Sequence, residues 1–351
     1  MPGVDPLNQA LSGESFLDGD DSPDDESSGD AAPRGDTPAA STPAERRFTV
    51  PAGTSGRLDK VLAQLIPEHS RSRLQGWIEA GHVRVNAETA TSVRKSVASY
   101  DEIAVREQLA PEQQAFTPEP IDFPVVAESA EWIVVDKPAG LVVHPGAGNW
   151  SGTLLNGLLH RYPELAHVPR AGIVHRLDKD TSGLMVVARS ETSQTALVRQ
   201  LQARTVGRQY VALVHGWVQA DGTVDRPVGR DARVPVRMSV DRAVAAKPAI
   251  THFRPVRHGL LGTLRFTEVA CRLETGRTHQ IRVHMASLGH PLLADPLYGG
   301  KLVHPAARQM LHARALRFED PADGTPRTFE AAIPEDMQSV MAAIAWDEAG
   351  S

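Results

Sequence analysis

From Phe48 onward the chain alternates short apolar runs with charged or glycine-marked breaks, and the spacing of the apolar positions separates helices from strands. Leu58, Val61, Leu62 and Leu65 fall at helical spacing and predict a helix that Pro67 ends. Ser70 is placed as the N-cap of a second helix, Arg71 to Ala80, with Gly81 as its stop and Leu74, Trp77 and Ile78 turned inward. Alternation over His82 to Asn86 predicts a strand, and Val97 to Val105 another. Residues 109–120 hold three prolines and no regular period, which reads as a linker.

Beyond Ile121 the pattern predicts strands at Trp132 to Asp136, Leu184 to Ala188, Gln209 to Trp217 and Leu264 to Leu273. Helices are expected at Thr153 to Arg161, Glu191 to Arg204 and Thr278 to Leu288, and Pro334-Glu335-Asp336 opens a terminal one. After residue 208 several strands follow one another with no helix between them. That order argues for an α+β class on a mixed, largely antiparallel sheet, and against a doubly wound fold. The expected domains are a small N-terminal α/β unit over residues 46–108 and a large unit over residues 121–345.

Charge changes the picture at the N-terminus. The 351 residues carry a formal net charge of −6, yet residues 1–45 hold eleven acidic side chains against Arg34 alone. The remainder is therefore mildly basic and holds all 14 histidines, which suits a polyanionic partner. Residues 1–45 have almost no large apolar side chains and are expected to be a disordered acidic tail. It is read as a solubility tail, or as a competitor with RNA for basic surface. No apolar run reaches the roughly 18 residues a membrane helix needs. No signal peptide is evident, and the single Cys271 allows no internal disulfide, so a reducing cytoplasm and no membrane partner are expected. A monomer is the default.

The chemistry is concentrated in three stretches. In GIVHRLDKDTSGLMVVA, Gly172 to Ala188, the residues His175, Arg176, Asp178, Lys179 and Asp180 crowd both signs of charge beside an apolar strand. Such crowding suggests a site; a charged surface turn is the plainer alternative. Asp180 reads as a structural partner for backbone N–H groups. In RQYVALVHG, Tyr210 sits within an apolar strand, where a core tyrosine is the simpler reading. In LETGRTHQIRVHM, Arg277 and Arg282 flank the start of a helix too apolar to be solvated. The glycines of His144 to Gly152 miss the dinucleotide spacing, and there is no phosphate-binding loop or serine elbow. His279 and His284, five apart, make a poor metal pair. The small unit presents Arg71, Arg73, Arg84, Arg94 and Lys95, a set suited to phosphate contacts or to an idle basic surface.

These three blocks, in this order, resemble the RluA-type family of RNA pseudouridine synthases. LLNGLLHRYPEL, VPRAGIVHRLD and GHPLLADPLYGG further resemble its RluD subgroup, and residues 56–105 are similar to the S-four-type (alpha-L) RNA-binding domain of that subgroup. The segment between Tyr298 and Leu311 is shorter than in the subgroup. The resemblance implies a pseudouridine synthase fold and isomerisation of uridines in large-subunit ribosomal RNA, in the helix 69 stem-loop. The alternatives are another ribosomal or transfer RNA site, or a non-catalytic ribosome-assembly factor. It implies Asp178 as the catalytic carboxylate, Arg282 as its salt-bridge partner and Tyr210 as the residue against the base, a candidate to take the C5 proton. Arg176 would fill the space of the everted nucleotide, and Arg277, His279, Arg71, Arg73 and Arg84 would bind substrate. The isomerisation has no redox step, so no cofactor and no metal are expected.

Overall fold

A computed structural model describes residues 45–108, 115–146 and 149–347. Residues 1–44, read above as the bulk of the acidic tail, and residues 109–114 of the expected linker lie outside the described residues. Contacts divide the described chain between a small unit, residues 45–108, and a larger one from Ala115 to Asp347.

The small unit runs β1 (Glu45–Thr49), β2 (Gly56–Arg57), α1 (Leu58–Leu65), α2 (Arg71–Glu79), β3 (Val83–Val85), β4 (Glu88–Ala90), β5 (Ser96–Val97) and β6 (Glu102–Arg106). Glu45, counted with the tail above, is already a strand residue and pairs with Arg106. The apolar positions read at helical spacing, Leu58, Val61, Leu62, Leu74, Trp77 and Ile78, share one buried cluster with Val83, Ile103 and Val105. Ser70 caps α2 by accepting from Arg73 N. The single strand expected over Val97 to Val105 is instead two. Asp101 captures the Ala98 amide at 2.8 Å, and Tyr100 takes φ 74°, so the chain turns between β5 and β6.

The larger unit contains β7 (Val125–Glu128), β8 (Trp132–Lys137), α3 (Leu154–Arg161), β9 (Ser182–Ala188), α4 (Glu191–Gln202), β10 (Gly207–His215), β11 (Gly222–Asp225), β12 (Val228–Asp231), β13 (Met238–Ser239), β14 (Ala243–Lys247), β15 (Ile250–Leu261), β16 (Leu264–Leu273), α5 (Gln280–Ser287), β17 (Leu311–Glu319), β18 (Pro326–Glu330), α6 (Glu335–Ala343) and β19 (Ala345–Trp346). The second half of the expected linker belongs to this unit: Asn156 of α3 donates to the carbonyls of Ala115 and Thr117, and its own carbonyl accepts from Glu119 N.

The main sheet has the order β11-β15-β16-β10-β17-β9-β8-β7, with β18 on β17 and β19 on β15. Its pairings are antiparallel except β9 with β17. The central strands bury both faces with period two. Tyr210, Ala212 and Val214 of β10 join Cys271 of β16 in one core, and Val211 and Leu213 join Phe266 and Ala270 in another. That double burial is why these strands read as continuous apolar runs.

Gly183 makes the parallel junction possible. Its φ is 116°, and a Cβ there would lie 2.2 Å from the Ala313 carbonyl oxygen. Gly183→Ala is expected to cost more than about 2 kcal/mol, since strain and backbone collision add; urea unfolding followed by circular dichroism checks it.

Candidate active site

Asp178 lies in the loop between Gly172 and β9, and that loop is fastened from below. Lys137, fully buried at the end of β8, donates to the carbonyls of Pro138, Leu141 and Lys179, each at 2.9 Å. Three acceptors match the three N–H bonds of an ammonium. Thr181 N closes a turn on the Asp178 carbonyl at 3.0 Å.

The cation for Asp178 comes from α5. Residues 280–285 are all buried, with Ile281 and Met285 in the core beneath Tyr210, so the guanidinium of Arg282 is carried inward. It donates from Nη1 to Asp178 Oδ2 at 3.1 Å. Its Nε and Nη2 fork onto the fully buried Asp295 at 2.7 and 2.9 Å. Asp178 keeps 16% of its side chain exposed while Arg282 keeps 8%. One cation thus serves two carboxylates, of which only Asp178 meets solvent.

His279 stands just ahead of α5 with φ 56°, its Nε2 4.0 Å from Asp178 Oδ1 and its Nδ1 2.8 Å from the Tyr298 hydroxyl. The Tyr298 ring lies under the Arg282 guanidinium at 5.1 Å. The helix starts at Gln280 rather than Thr278 because the Gln280 side chain knits the preceding turn. Its Oε1 accepts from Arg277 N and Thr275 Oγ1, and its Nε2 donates to Ile250 O and Thr251 Oγ1.

Asp178, Arg176, Tyr210, Arg277, His279 and Arg282 all line one open cleft. Tyr210 is buried, and burial pushes its phenol up to about 12. No side chain among the described residues hydrogen-bonds its hydroxyl. Arg176 is exposed at the cleft, and Arg277 donates from Nε to the Pro248 carbonyl. Asp295, Tyr298, Lys137 and Gln280 support this site without having been singled out in the sequence. The reading of Asp180 is corrected: its carboxylate captures no backbone N–H among the described residues, and its carbonyl accepts from Arg308.

The cations of the small unit are arranged separately. Arg71 and Arg57 both grip the buried Asp59, which also accepts from Gln75. Arg73 donates to the Gln108 carbonyl and lies 5.3 Å from the Trp77 ring centre, and Arg84 pairs with Glu45. Arg57, Arg71 and Arg84 still expose 40–45% of their side chains.

Three imidazoles around the loop are held neutral. Burial, reinforced by nearby arginines, lowers His144 to about 4 and His175 to about 3, and burial lowers His312 to about 4. His175 Nε2 accepts the Val186 amide, which requires an unprotonated nitrogen. The unfolded chain takes up these protons below pH 6.5 while the folded one does not. Stability is therefore whole above pH 6.5 and falls as the pH drops toward 4, by at most about 1.4 kcal/mol per unit for each histidine. The urea midpoint is expected to fall between pH 7 and pH 5, and His312→Asn to flatten that slope.

A mixed sheet whose cleft holds an ion-paired carboxylate, in a chain that also carries a small unit with exposed arginines, belongs to an RNA-modifying enzyme of the pseudouridine synthase class. Residues 131–287 match the family model described as RNA pseudouridylate synthase, and residues 56–103 match the S4 domain. The "Ribosomal large subunit pseudouridine synthase D" of Neisseria meningitidis serogroup B is 48% identical over 320 residues, covering 87% of this chain and 84% of that protein. The protein of the same name from Xanthomonas campestris pv. campestris is 48% identical, covering 87% and 94%. The solved structure "Human RNA Pseudouridylate Synthase Domain Containing 1" is 27% identical with TM-score 0.53, covering 69% of this chain and 91% of that one. The chain belongs to the RNA pseudouridine synthase family and carries an S4 RNA-binding domain at its N-terminus.

Proposed function

We propose that this enzyme converts uridines of large-subunit ribosomal RNA, in the helix 69 stem-loop, to pseudouridines, with Asp178 as the catalytic carboxylate. The observation that carries the reading is the half-buried Asp178 held 3.1 Å from Arg282 at the cleft. The substrate class follows the printed name of the relatives, and the helix 69 address follows the sequence resemblance. The reaction breaks the bond from N1 to C1′, turns the base and joins C5 to C1′; the C5 proton is lost and N1 gains one. Whether it attacks the sugar or the base or takes a sugar proton, the carboxylate must lie against the everted nucleotide, and Arg282, fixed by Asp295, keeps this one aimed.

Tyr210 stays protonated near neutral pH, which favours packing against the base over accepting the C5 proton. A uridine in folded RNA must leave its stack, at a cost of a few kcal/mol, and Arg176, exposed at the cleft, stacks in the gap in this reading. Arg277 and His279, which line the same cleft, contact the everted nucleotide. Arg71, Arg73 and Arg84 of the S4 domain add phosphate contacts. The enzyme acts as a monomer in the cytoplasm, and a redox-neutral isomerisation needs no electron carrier.

The test is a chemical map of pseudouridines across total RNA from cells with and without the gene. Loss confined to helix 69 supports the reading. Loss at another ribosomal or transfer RNA site moves the substrate, and loss nowhere removes the assignment.

A further inference from the structure

We propose that Arg308 is a positioning residue for the Asp178 carboxylate, held in its turn by Asp336 of the C-terminal helix; this rests on Asp178 being the catalytic group. Arg308 precedes β17 and exposes only 9% of its side chain. Its Nη1 donates to the Asp180 carbonyl at 2.8 Å and to those of Gln309 and Leu311 at 3.2 Å. Its Nε and Nη2 fork onto Asp336 at 2.6 and 3.0 Å, and Nη2 lies 3.4 Å from Ser182 Oγ. A guanidinium is planar, so the fork onto Asp336 fixes the plane and leaves Nη1 aimed at the catalytic loop.

The loop is then held at successive carbonyls by two largely buried donors, Lys137 on Lys179 and Arg308 on Asp180. Asp180 is two residues beyond Asp178, within the same turn. Without Arg308 the Asp180 end of that turn loses its side-chain anchor, while Lys137, the Gly140 amide on the Lys179 carbonyl and the Thr181 amide on the Asp178 carbonyl hold the rest; a displacement of about 1 Å at a reacting group costs on the order of 100-fold in rate. Arg176, on the other arm of the loop, is untouched, so the loss falls on turnover and not on RNA affinity. Docking of the C-terminal helix is thereby linked to catalytic geometry.

The test uses the full chain and transcribed large-subunit ribosomal RNA, with turnover and RNA Kd measured well below each variant's Tm. Arg308→Gln is expected to lower kcat about 30-fold with Kd within twofold, and Arg308→Lys to recover part of the loss. Asp336→Asn is expected to lower kcat about fivefold alone and not at all in the Arg308→Gln background. Leu197→Ala, a buried change on α4, supplies the stability control and is expected to leave kcat unchanged. Wild-type kcat in Arg308→Gln, or an equal kcat loss in Leu197→Ala, overturns the proposal. If Arg308→Gln does not fold, an unchanged kcat in Asp336→Asn overturns it. Asp178→Asn in the same assay keeps the two readings apart. Turnover retained there removes the catalytic assignment, whereas a dead Asp178→Asn beside a fully active Arg308→Gln removes the clamp alone.

Discussion

Asp178→Asn is expected to lower single-turnover pseudouridine formation by about 1000-fold or more, toward the upper end of what one positioned acid–base or nucleophilic group supplies. Size and hydrogen-bonding shape are nearly conserved, so the loss comes from the missing charge at the sugar. RNA affinity is expected to stay within a few-fold, because Arg176, Arg277 and the S4 cations are unchanged. Stability is expected to move by less than about 1 kcal/mol, since Arg282 keeps both hydrogen bonds to Asp295 and Asp178 is partly solvated. Tritium release from C5-labelled RNA gives the rate, and filter binding gives the affinity. Wild-type turnover would take Asp178 out of the chemistry.

The elements that sequence periodicity located best are those whose own residues meet both conditions for the element. Leu264 to Leu273 is a strand end to end because β16 is covered on both faces, and the Leu58 to Leu65 helix shows its buried stripe directly. Boundaries failed where a single side chain intercepts a backbone group. Asp101 breaks the strand expected over Val97 to Val105, and Gln280 delays α5 by tying up the Arg277 amide. The three-stranded sheet β13-β12-β14 left no readable period, since its strands are only four, two and five residues long for β12, β13 and β14.

For the site, residue chemistry alone left a charged turn and a core tyrosine as open readings, and family resemblance singled out Asp178, Tyr210 and Arg282. Asp295 lies inside GHPLLADPLYGG, a block that carries the family resemblance, yet its part in the site shows only in space, where it meets Arg282. Lys137 likewise reads as the polar end of a strand, and its three carbonyl partners lie on two separate loops.

Asp295→Ala is expected to have the largest effect on folding. The carboxylate is fully buried and accepts two charge-assisted hydrogen bonds from a guanidinium that is itself nearly buried. Removing it leaves Arg282 desolvated with only the single bond to Asp178, and breaking a buried pair from one side costs about 3–5 kcal/mol. In a unit of this size that corresponds to a Tm lower by roughly 10 °C. Turnover is expected to fall as well, because Arg282 loses the fork that sets its direction and carries Asp178 with it. The two losses separate in a double variant, Arg282→Met with Asp295→Leu. Replacing a buried pair by apolar residues of similar volume restores much of the stability, but Asp178 then has no cation at 3.1 Å. Calorimetry should find the double variant more stable than Asp295→Ala, and tritium release should find it no more active. Activity that recovers along with Tm would mean that the pair only holds the fold and that Asp178 works without its guanidinium.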